Sequence, residues 1–163
     1  MFDDHLLMLA RLTLDEAQKK RLKIVTAESC TGGLIAGLLT EIPGSSATVE
    51  RGFIVYSNKA KEEMLGVPGD LIADAGAVSE PVARAMAEGA LEESRANIAV
   101  AVTGVAGPGG GTPLKPVGLV HIAVARENRP IFHQALRLGD IGRAQVRRQT
   151  IEAALEMVRK MMN

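Results

Sequence analysis

The sequence predicts an α/β protein with a three-layer α/β/α architecture and a mixed, mostly parallel sheet. Segments with the apolar spacing of amphipathic helices alternate with short apolar runs typical of strands. The run from Ile98 to Val102 is continuously apolar, which is typical of a strand covered by helices on both faces. Two further β-prone runs, 117–125 and 130–138, flank a turn at 126–129, so an antiparallel hairpin is expected within the sheet.

The first half of the chain predicts three helices and two strands. In chain order, these elements cover residues 4–20, 23–27, 34 to about 42, 53–56 and 59–65. Gly32 and Gly33 supply the turn between the first strand and the second helix, because paired glycines favour a tight turn. Asn58 is expected to cap the third helix.

The second half predicts two helices and three strands. Ser79 is a good N-terminal cap and Pro81 is tolerated in a first turn, so a helix is expected to begin there. The strand 98–102, a Gly/Pro-rich loop, the hairpin and a final helix over 141–162 follow. No linker or repeat interrupts this order, and we expect a single domain covering residues 1–163.

The composition argues against several classes of function. Nineteen Lys and Arg residues balance nineteen Asp and Glu residues, and there are only three Phe and one Tyr, so neither charge nor base stacking favours nucleic-acid binding. The N-terminus does not resemble an export signal, and no long uncharged apolar run predicts a membrane span. One cysteine and no zinc-site spacing predict a cytoplasmic protein without a metal or other cofactor. The apolar content of 47% favours a homo-oligomer.

The segment from Glu28 to Gly33 lies between the first predicted strand and the second predicted helix. Ligands of open α/β sheets gather beyond the carboxyl ends of strands, and a helix N-terminus offers N–H groups to an oxyanion. Ser29 is therefore a candidate nucleophile, with Cys30, Thr31 and Gly32 beside it. A simple turn in which Ser29 and Thr31 cap the helix is the alternative. Cys30 is expected to be a buried packing residue, with a thiol nucleophile as the alternative.

A serine nucleophile needs a base, and lysine is the better candidate in this chain. Each of the three histidines falls within a predicted helix or strand, which favours structural or surface roles. Lys59 and Lys61 begin the helix after Tyr56, where the helix dipole and their mutual repulsion lower the pKa of an ammonium group. Tyr56 is a candidate to relay or orient the proton. Two solvated helix lysines are the alternative, and these considerations do not choose between Lys59 and Lys61.

The glycine-rich loop begins as the third predicted strand ends, so it is expected at the same sheet edge as Ser29. Thr103, Gly104, Ala106 and Gly107 lie at its start. The N–H groups of such a loop can form a nest for a phosphate or an oxyanion. The pattern lacks the Gly-Lys-Ser/Thr of a P-loop, which argues against an ATPase. A mobile surface loop is the alternative.

Arg143 and Arg147 are four residues apart on the last predicted helix and therefore share a face. Like charges at this spacing repel unless an anion lies between them. Guanidinium groups bind phosphate through paired hydrogen bonds, so both arginines are candidates for binding the phosphate or ribose side of a substrate. A solvated helix face is the alternative.

Six motifs in one order resemble the C-terminal domain family of the competence/damage-inducible protein CinA. They are Glu28–Gly33, Pro43–Ser46, Tyr56–Lys61, Gly76–Ser79, Thr103–Pro108 with Gly110–Thr112, and Lys115–Gly118. The resemblance extends from about Leu7 to Leu155. It implies a three-layer α/β/α fold and a nicotinamide-nucleotide amidase, which converts nicotinamide mononucleotide and water to nicotinate mononucleotide and ammonia in NAD salvage.

The resemblance also implies roles for individual residues. Ser29 is similar to the family's nucleophile, Lys61 to its general base and Tyr56 to the helper of that base. Thr103, Gly104 and the following glycines are similar to the site walls and anion donors, and Arg143 to the substrate arginine. Two alternatives stay open: a non-catalytic nucleotide-binding or competence-related interaction module, and a hydrolase acting on a different phosphorylated small molecule.

Overall fold

The computed structural model describes all 163 residues, which form six α-helices, five strands and one short 3-10 helix. The helices are α1 (Asp4–Lys19), α2 (Leu34–Thr40), α3 (Asn58–Leu65), α4 (Gly69–Ala75), α5 (Glu80–Glu92) and α6 (Arg143–Met162). The strands are β1 (Ile24–Glu28), β2 (Val49–Ile54), β3 (Ile98–Gly104), β4 (Leu119–Arg126) and β5 (Phe132–Arg137), and the 3-10 helix is Ser45–Ala47. None of the six α-helices combines the length and apolarity that a membrane crossing requires.

The five strands form one sheet in the order β2-β1-β3-β4-β5. β1 pairs in parallel with both β2 and β3, whereas β4 is antiparallel to both β3 and β5. Four strands therefore run in one direction and only β4 runs in the other, which confirms the prediction of a mixed, mostly parallel sheet. The parallel arrangement brings the carboxyl ends of β1, β2 and β3 to one edge.

Helices cover both faces of the sheet, which confirms the three-layer architecture. One core contains apolar residues of α1, α2 and α6, such as Leu9, Leu38 and Leu155, and the other contains residues of α3, α4 and α5. Strand β3 serves both cores, because Val100 faces the first and Ala101 the second. Burial of each large apolar side chain contributes about 1.5–3 kcal/mol, so both cores hold the helices against the sheet.

The main error in the predicted elements concerns β2, which covers Val49–Ile54 and not residues 53–56. β2 is an edge strand, and the charged Glu50 and Arg51 interrupt its apolar pattern. Charged residues are common on edge strands because they discourage pairing with another chain. The same charges hide the strand from a search for apolar runs.

Two helical details also differ from the prediction. Helix α4 was not predicted, because seven residues that include Gly69 and Asp70 give too short a periodic pattern. Ser57, and not Asn58, caps α3: its Oγ accepts a hydrogen bond from Ala60 N at 3.0 Å. This cap fixes the start of the helix that carries the two candidate lysines.

Candidate active site

The ends of three neighbouring strands meet around Ser29. Ser29 directly follows β1, and its N–H donates to Val102 O of β3 at 3.1 Å. On the other side, Val55 N, which directly follows β2, donates to Glu28 O at 2.9 Å. Ser29 is 8% exposed, so its side chain lies just beneath the surface at this edge.

The segment that begins at Ser29, residues 29–33, is called the nucleophile turn, and two glycines with positive φ shape it. Gly32 has φ of 60° and Gly33 has φ of 99°, a region in which side chains with a Cβ are strained. Gly32 N donates to Ser29 O at 3.0 Å, and Leu34 N donates to Thr31 O at 3.0 Å. Helix α2 therefore begins only at Leu34, and its N-cap residue, Gly33, supplies no side-chain hydrogen bond.

Glu28 caps α2 in place of that missing side chain, a role that the sequence analysis did not assign. Its fully buried carboxylate accepts hydrogen bonds from Thr31 Oγ1 at 2.6 Å, Ile35 N at 2.8 Å and Ala36 N at 3.0 Å. The interpretation of Ser29 and Thr31 as caps of α2 is therefore wrong, because neither side chain bonds to a helix amide. A glutamate before a Gly-Gly turn, with glycine directly ahead of the helix, is the sequence feature that could have indicated this role.

Lys61 lies against the hydroxyl of Ser29. Its Nζ is 3.2 Å from Ser29 Oγ, 3.1 Å from Val55 O and 3.4 Å from Tyr56 O. The residue is only 1% exposed, and no carboxylate is among the hydrogen-bond partners of its Nζ. Burial lowers the pKa of Lys61 below the ordinary lysine value, because desolvation disfavours the ammonium form.

The structure separates the two lysines that the residues alone left as alternatives. The side chain of Lys59 is 75% exposed and its Nζ is 3.9 Å from Glu63 Oε1. Lys61 is one turn into α3 on the buried side. Only Lys61 is brought to Ser29.

The three histidines are hydrogen-bonded to residues other than Ser29 and Lys61. His5 Nε2 is 3.0 Å from Glu152 Oε1, and His121 Nδ1 is 2.9 Å from His133 Nε2. None of the three imidazoles is hydrogen-bonded to Ser29. Burial lowers the pKa of His121 to about 4.

Tyr56 and Arg143 join three segments above the nucleophile turn. Arg143 Nη2 donates to Tyr56 Oη at 3.0 Å, and Arg143 Nη1 donates to Gly107 O at 2.8 Å. The Tyr56 hydroxyl therefore bonds to Arg143, and it is the backbone carbonyl of Tyr56 that bonds to Lys61. Arg143 and Tyr56 are both exposed, so a ligand can reach them.

Arg147 is bonded to the nucleophile turn itself. Its Nε donates to Cys30 O at 3.1 Å and its Nη2 donates to Thr31 O at 3.2 Å. The residue is half-buried, whereas Arg143 is exposed. The two arginines therefore share a helix but not an environment.

The model of one protein family, the CinA C-terminal domain, matches residues 7–162. The chain belongs to this family. A CinA-like protein of Mycobacterium sp. (strain JLS) is 54% identical over 138 residues, which are 84% of this chain and 32% of the relative. A CinA-like protein of Gemmatimonas aurantiaca is 48% identical over 152 residues, which are 93% of this chain and 35% of the relative. The chain thus spans about a third of the length of the curated relatives it matches.

A solved structure of a competence/damage-inducible protein from Agrobacterium tumefaciens has the same fold. Its TM-score is 0.98 at 52% sequence identity, and the match covers 100% of this chain and 99% of that one. This likeness agrees with the sheet order and the three layers described above.

The residues predicted to form the walls of the site in this CinA domain contact neighbouring segments of the chain. Thr103 is 1% exposed and its Oγ1 donates to Ala77 O at 2.9 Å, so its hydroxyl holds the segment before α5. Ala106 is buried, and Gly107 meets Arg143 through its carbonyl group. The glycine loop therefore contributes to the site mainly through its backbone.

Cys30 is buried in the CinA domain, as the packing interpretation expected. It is 5% exposed, and burial raises the pKa of its thiol to about 11. A thiol with such a pKa stays protonated at neutral pH and is a poor nucleophile. No group of three His, Cys, Asp or Glu side chains is arranged to hold a metal ion.

Proposed function

We propose that this chain hydrolyses the carboxamide of nicotinamide mononucleotide to nicotinate mononucleotide and ammonia, in NAD salvage. The observation that carries the proposal is the 3.2 Å separation between Lys61 Nζ and Ser29 Oγ, with Lys61 buried and free of any carboxylate. Membership of the CinA family supports the same activity. A module that only binds nucleotides has no need of a buried lysine against a serine, so this contact favours a hydrolase.

The contacts of Lys61 suit a general base. A neutral amine has two N–H donors and one lone pair. When the two donors bond to the carbonyls of Val55 and Tyr56, the lone pair is left for the Ser29 hydroxyl. Because burial lowers the pKa of Lys61, this neutral form is easier to reach than in an exposed lysine.

The reaction proceeds by two acyl transfers. Ser29 Oγ attacks the carboxamide carbon while its proton passes to Lys61 Nζ, and the lysine then donates that proton to the leaving nitrogen, which departs as ammonia. Lys61 next accepts a proton from water, which attacks the ester formed on Ser29. Collapse of the second tetrahedral intermediate releases nicotinate mononucleotide and returns the proton to Ser29.

The amides of Cys30 and Thr31 are suited to stabilise the oxyanion. Neither donates a hydrogen bond to a backbone carbonyl of the protein, and these two residues come first and second after the nucleophile. Amides at this position supply the oxyanion hole of many acyl-transfer enzymes. The first amides of α2, Ile35 N and Ala36 N, are already bonded to Glu28.

Arg143 is suited to the substrate phosphate. It is exposed, and its two hydrogen-bond acceptors, Tyr56 Oη and Gly107 O, are neutral. A phosphate can replace both acceptors with a bidentate pair of charge-assisted bonds. Tyr56 is then released beside the bound nucleotide.

The experiment that tests the proposal is an ammonia-release assay with four amides. Nicotinamide mononucleotide, nicotinamide riboside, nicotinamide and glutamine are compared at equal concentration. The expected result is the highest kcat/KM with the mononucleotide, because only this amide carries the phosphate. Equal rates with the mononucleotide and the riboside would show that the phosphate is not recognised, and no ammonia from any amide would end the proposal.

A matched pair of variants tests the nucleophile. Ser29→Ala is expected to lower the rate of ammonia release by at least about 1,000-fold, because removal of an attacking group disables the whole unit. Cys30→Ala is expected to keep most of the activity, since its thiol is buried and protonated. The opposite pattern, with Ser29→Ala active and Cys30→Ala inactive, transfers the nucleophile role to the thiol.

A further inference from the structure

Arg147 donates its hydrogen bonds to the backbone of the nucleophile turn and does not point them toward the exposed surface of the site. Its Nε and Nη2 donate to two successive carbonyls, Cys30 O and Thr31 O. A Cβ added to Gly32 would lie 3.3 Å from Arg147 Nη2, so the guanidinium also packs against the glycine of this turn. Arg147 therefore covers residues 30–32 from the side of α6.

The turn is held from its other side by Glu28. The buried carboxylate fixes the Thr31 hydroxyl and the first amides of α2. Arg147 and Glu28 together fix both the carbonyl and the side-chain groups of Thr31. These bonds hold the peptide groups of Cys30 and Thr31 in one orientation.

One peptide group links Arg147 to the reacting centre. The carbonyl of Cys30 accepts from Arg147, and the N–H of the same peptide group is that of Thr31, which has no acceptor in the protein. A charged donor on the carbonyl oxygen of an amide increases the positive charge on its N–H, because hydrogen-bonded amides polarise one another. Thr31 N is therefore both oriented and strengthened as a donor by Arg147.

We propose that Arg147 is a positioning residue that holds and polarises the Cys30–Thr31 peptide group, so that the amide of Thr31, next to that of Cys30, stabilises the oxyanion formed during attack by Ser29. This inference rests on the proposed hydrolase function and replaces the expectation that Arg147 binds the phosphate. Phosphate binding is then left to Arg143, which is exposed and reaches across the mouth of the site.

Steady-state kinetics with nicotinamide mononucleotide separate the two arginines. Arg147→Gln is expected to lower kcat by about 10- to 100-fold with little change in KM, because one oxyanion donor is typically worth that much or more. Arg143→Gln is the matched control on the same helix face, and it is expected to raise KM. A rise in KM with unchanged kcat in Arg147→Gln would assign Arg147 to substrate binding and overturn the inference.

A thioamide analogue of the substrate tests the oxyanion donors directly. The ratio of kcat/KM for the oxygen and sulfur substrates depends on these donors and not on a general loss of order in the site. Sulfur is a weaker hydrogen-bond acceptor than oxygen, so an effective oxyanion hole prefers the oxygen substrate. The ratio of kcat/KM for the oxygen and sulfur substrates is expected to fall in Arg147→Gln and to stay at the wild-type value in Arg143→Gln. An unchanged ratio in Arg147→Gln would show that Arg147 supports the fold and not the oxyanion donors.

Arg147→Lys is the second variant for this test, used if Arg147→Gln destabilises the fold. It keeps the positive charge and the alkyl stem, but an ammonium group cannot reproduce the planar pair of bonds to two carbonyls. The oxygen-to-sulfur ratio is expected to fall in this variant too. A wild-type ratio in Arg147→Lys would mean that charge alone suffices and would contradict the role in positioning.

Labelling of Ser29 by a fluorophosphonate separates failure of this inference from failure of the proposed function. Ser29 Oγ displaces fluoride from phosphorus, the serine proton passes to Lys61, and the phosphonyl oxygen occupies the oxyanion position. The labelling rate, followed by mass spectrometry, does not depend on which amide is the substrate. It is expected to fall about tenfold or more in Arg147→Gln and little in Arg143→Gln. Equal rates in wild type and Arg147→Gln would overturn the inference even where ammonia release is confirmed.

Discussion

Two buried ionisable side chains flank Ser29, and their hydrogen-bond partners differ in kind. Glu28 is 0% exposed and Lys61 is 1% exposed. The carboxylate of Glu28 accepts from two backbone amides and one hydroxyl, so both of its oxygens are bonded to donors. Lys61 Nζ meets two carbonyls and the Ser29 hydroxyl, and it has no anionic partner.

The difference separates a structural carboxylate from a reactive amine. Burial of a charge is unfavourable unless hydrogen bonds or an opposite charge compensate for the lost water. Glu28 is compensated by the positive end of α2 and its first amides, which keeps the turn at residues 29–33 in place. Lys61 has only neutral acceptors, so burial lowers its pKa and favours the neutral amine beside Ser29.

Of the two side chains, the larger effect is expected when the reactive amine of Lys61 is removed. Lys61→Met keeps the length of the apolar stem but has no amine to accept the Ser29 proton. General-base catalysis contributes about 100- to 10,000-fold, so kcat for ammonia release is expected to fall within or beyond this range. Lys59→Met, on the same helix but exposed, is the matched control and is expected to keep wild-type kcat. Equal losses in both variants would place the effect in α3 and not in the base.

The fold and the position of Ser29 could be predicted because they depend on local patterns. The apolar run of β3 and the strand-turn-helix around Gly32 and Gly33 follow from neighbouring residues. The choice between Lys59 and Lys61 does not follow in this way, because it depends on how α3 is rotated about its axis relative to β1. The resemblance to the CinA family implied Lys61, and the contact with Ser29 agrees with it.

Two features of the site lay beyond what spacing in the sequence can show. Glu28 caps a helix whose bonded amides lie seven and eight residues later, after a turn whose shape the residues alone do not determine. Arg143 and Arg147 are equivalent by spacing, but the direction of α6 places one at the rim and the other against the turn. The face of a helix is set by its sequence, and what that face meets is set by packing.

A smaller effect is expected when the structural carboxylate of Glu28 is replaced. In Glu28→Gln the side chain keeps its shape but brings an amide donor toward groups that are themselves donors. The free energy of unfolding is expected to fall by about 1.5–3 kcal/mol, the range for hydrogen bonds to a charged group. Glu41→Gln, exposed at the other end of α2, is expected to change it by less than about 0.5 kcal/mol. Urea denaturation of wild type, Glu28→Gln and Glu41→Gln measures the difference. Equal midpoints for the three proteins would contradict the capping role of Glu28.

The smallest effect is the contribution of Lys61 to the pH dependence of stability. Its pKa is lower in the folded protein than in the unfolded chain, so between these two values the unfolded chain binds more protons. The contribution of Lys61 to the free energy of unfolding therefore rises with pH in this window, by at most about 1.4 kcal/mol per pH unit, up to the ordinary lysine pKa of about 10.4.

Lys61→Met lacks this contribution, so wild type is expected to gain stability relative to the variant as pH rises through the window. Lys59→Met is the matched comparison, and its difference from wild type is expected to stay constant because the Lys59 side chain is largely exposed. Urea denaturation at a series of pH values from neutral to about 10 measures both differences. A constant gap between wild type and Lys61→Met would mean that Lys61 remains an ordinary ammonium in the folded protein, and a buried ammonium of that kind could not accept the proton of Ser29.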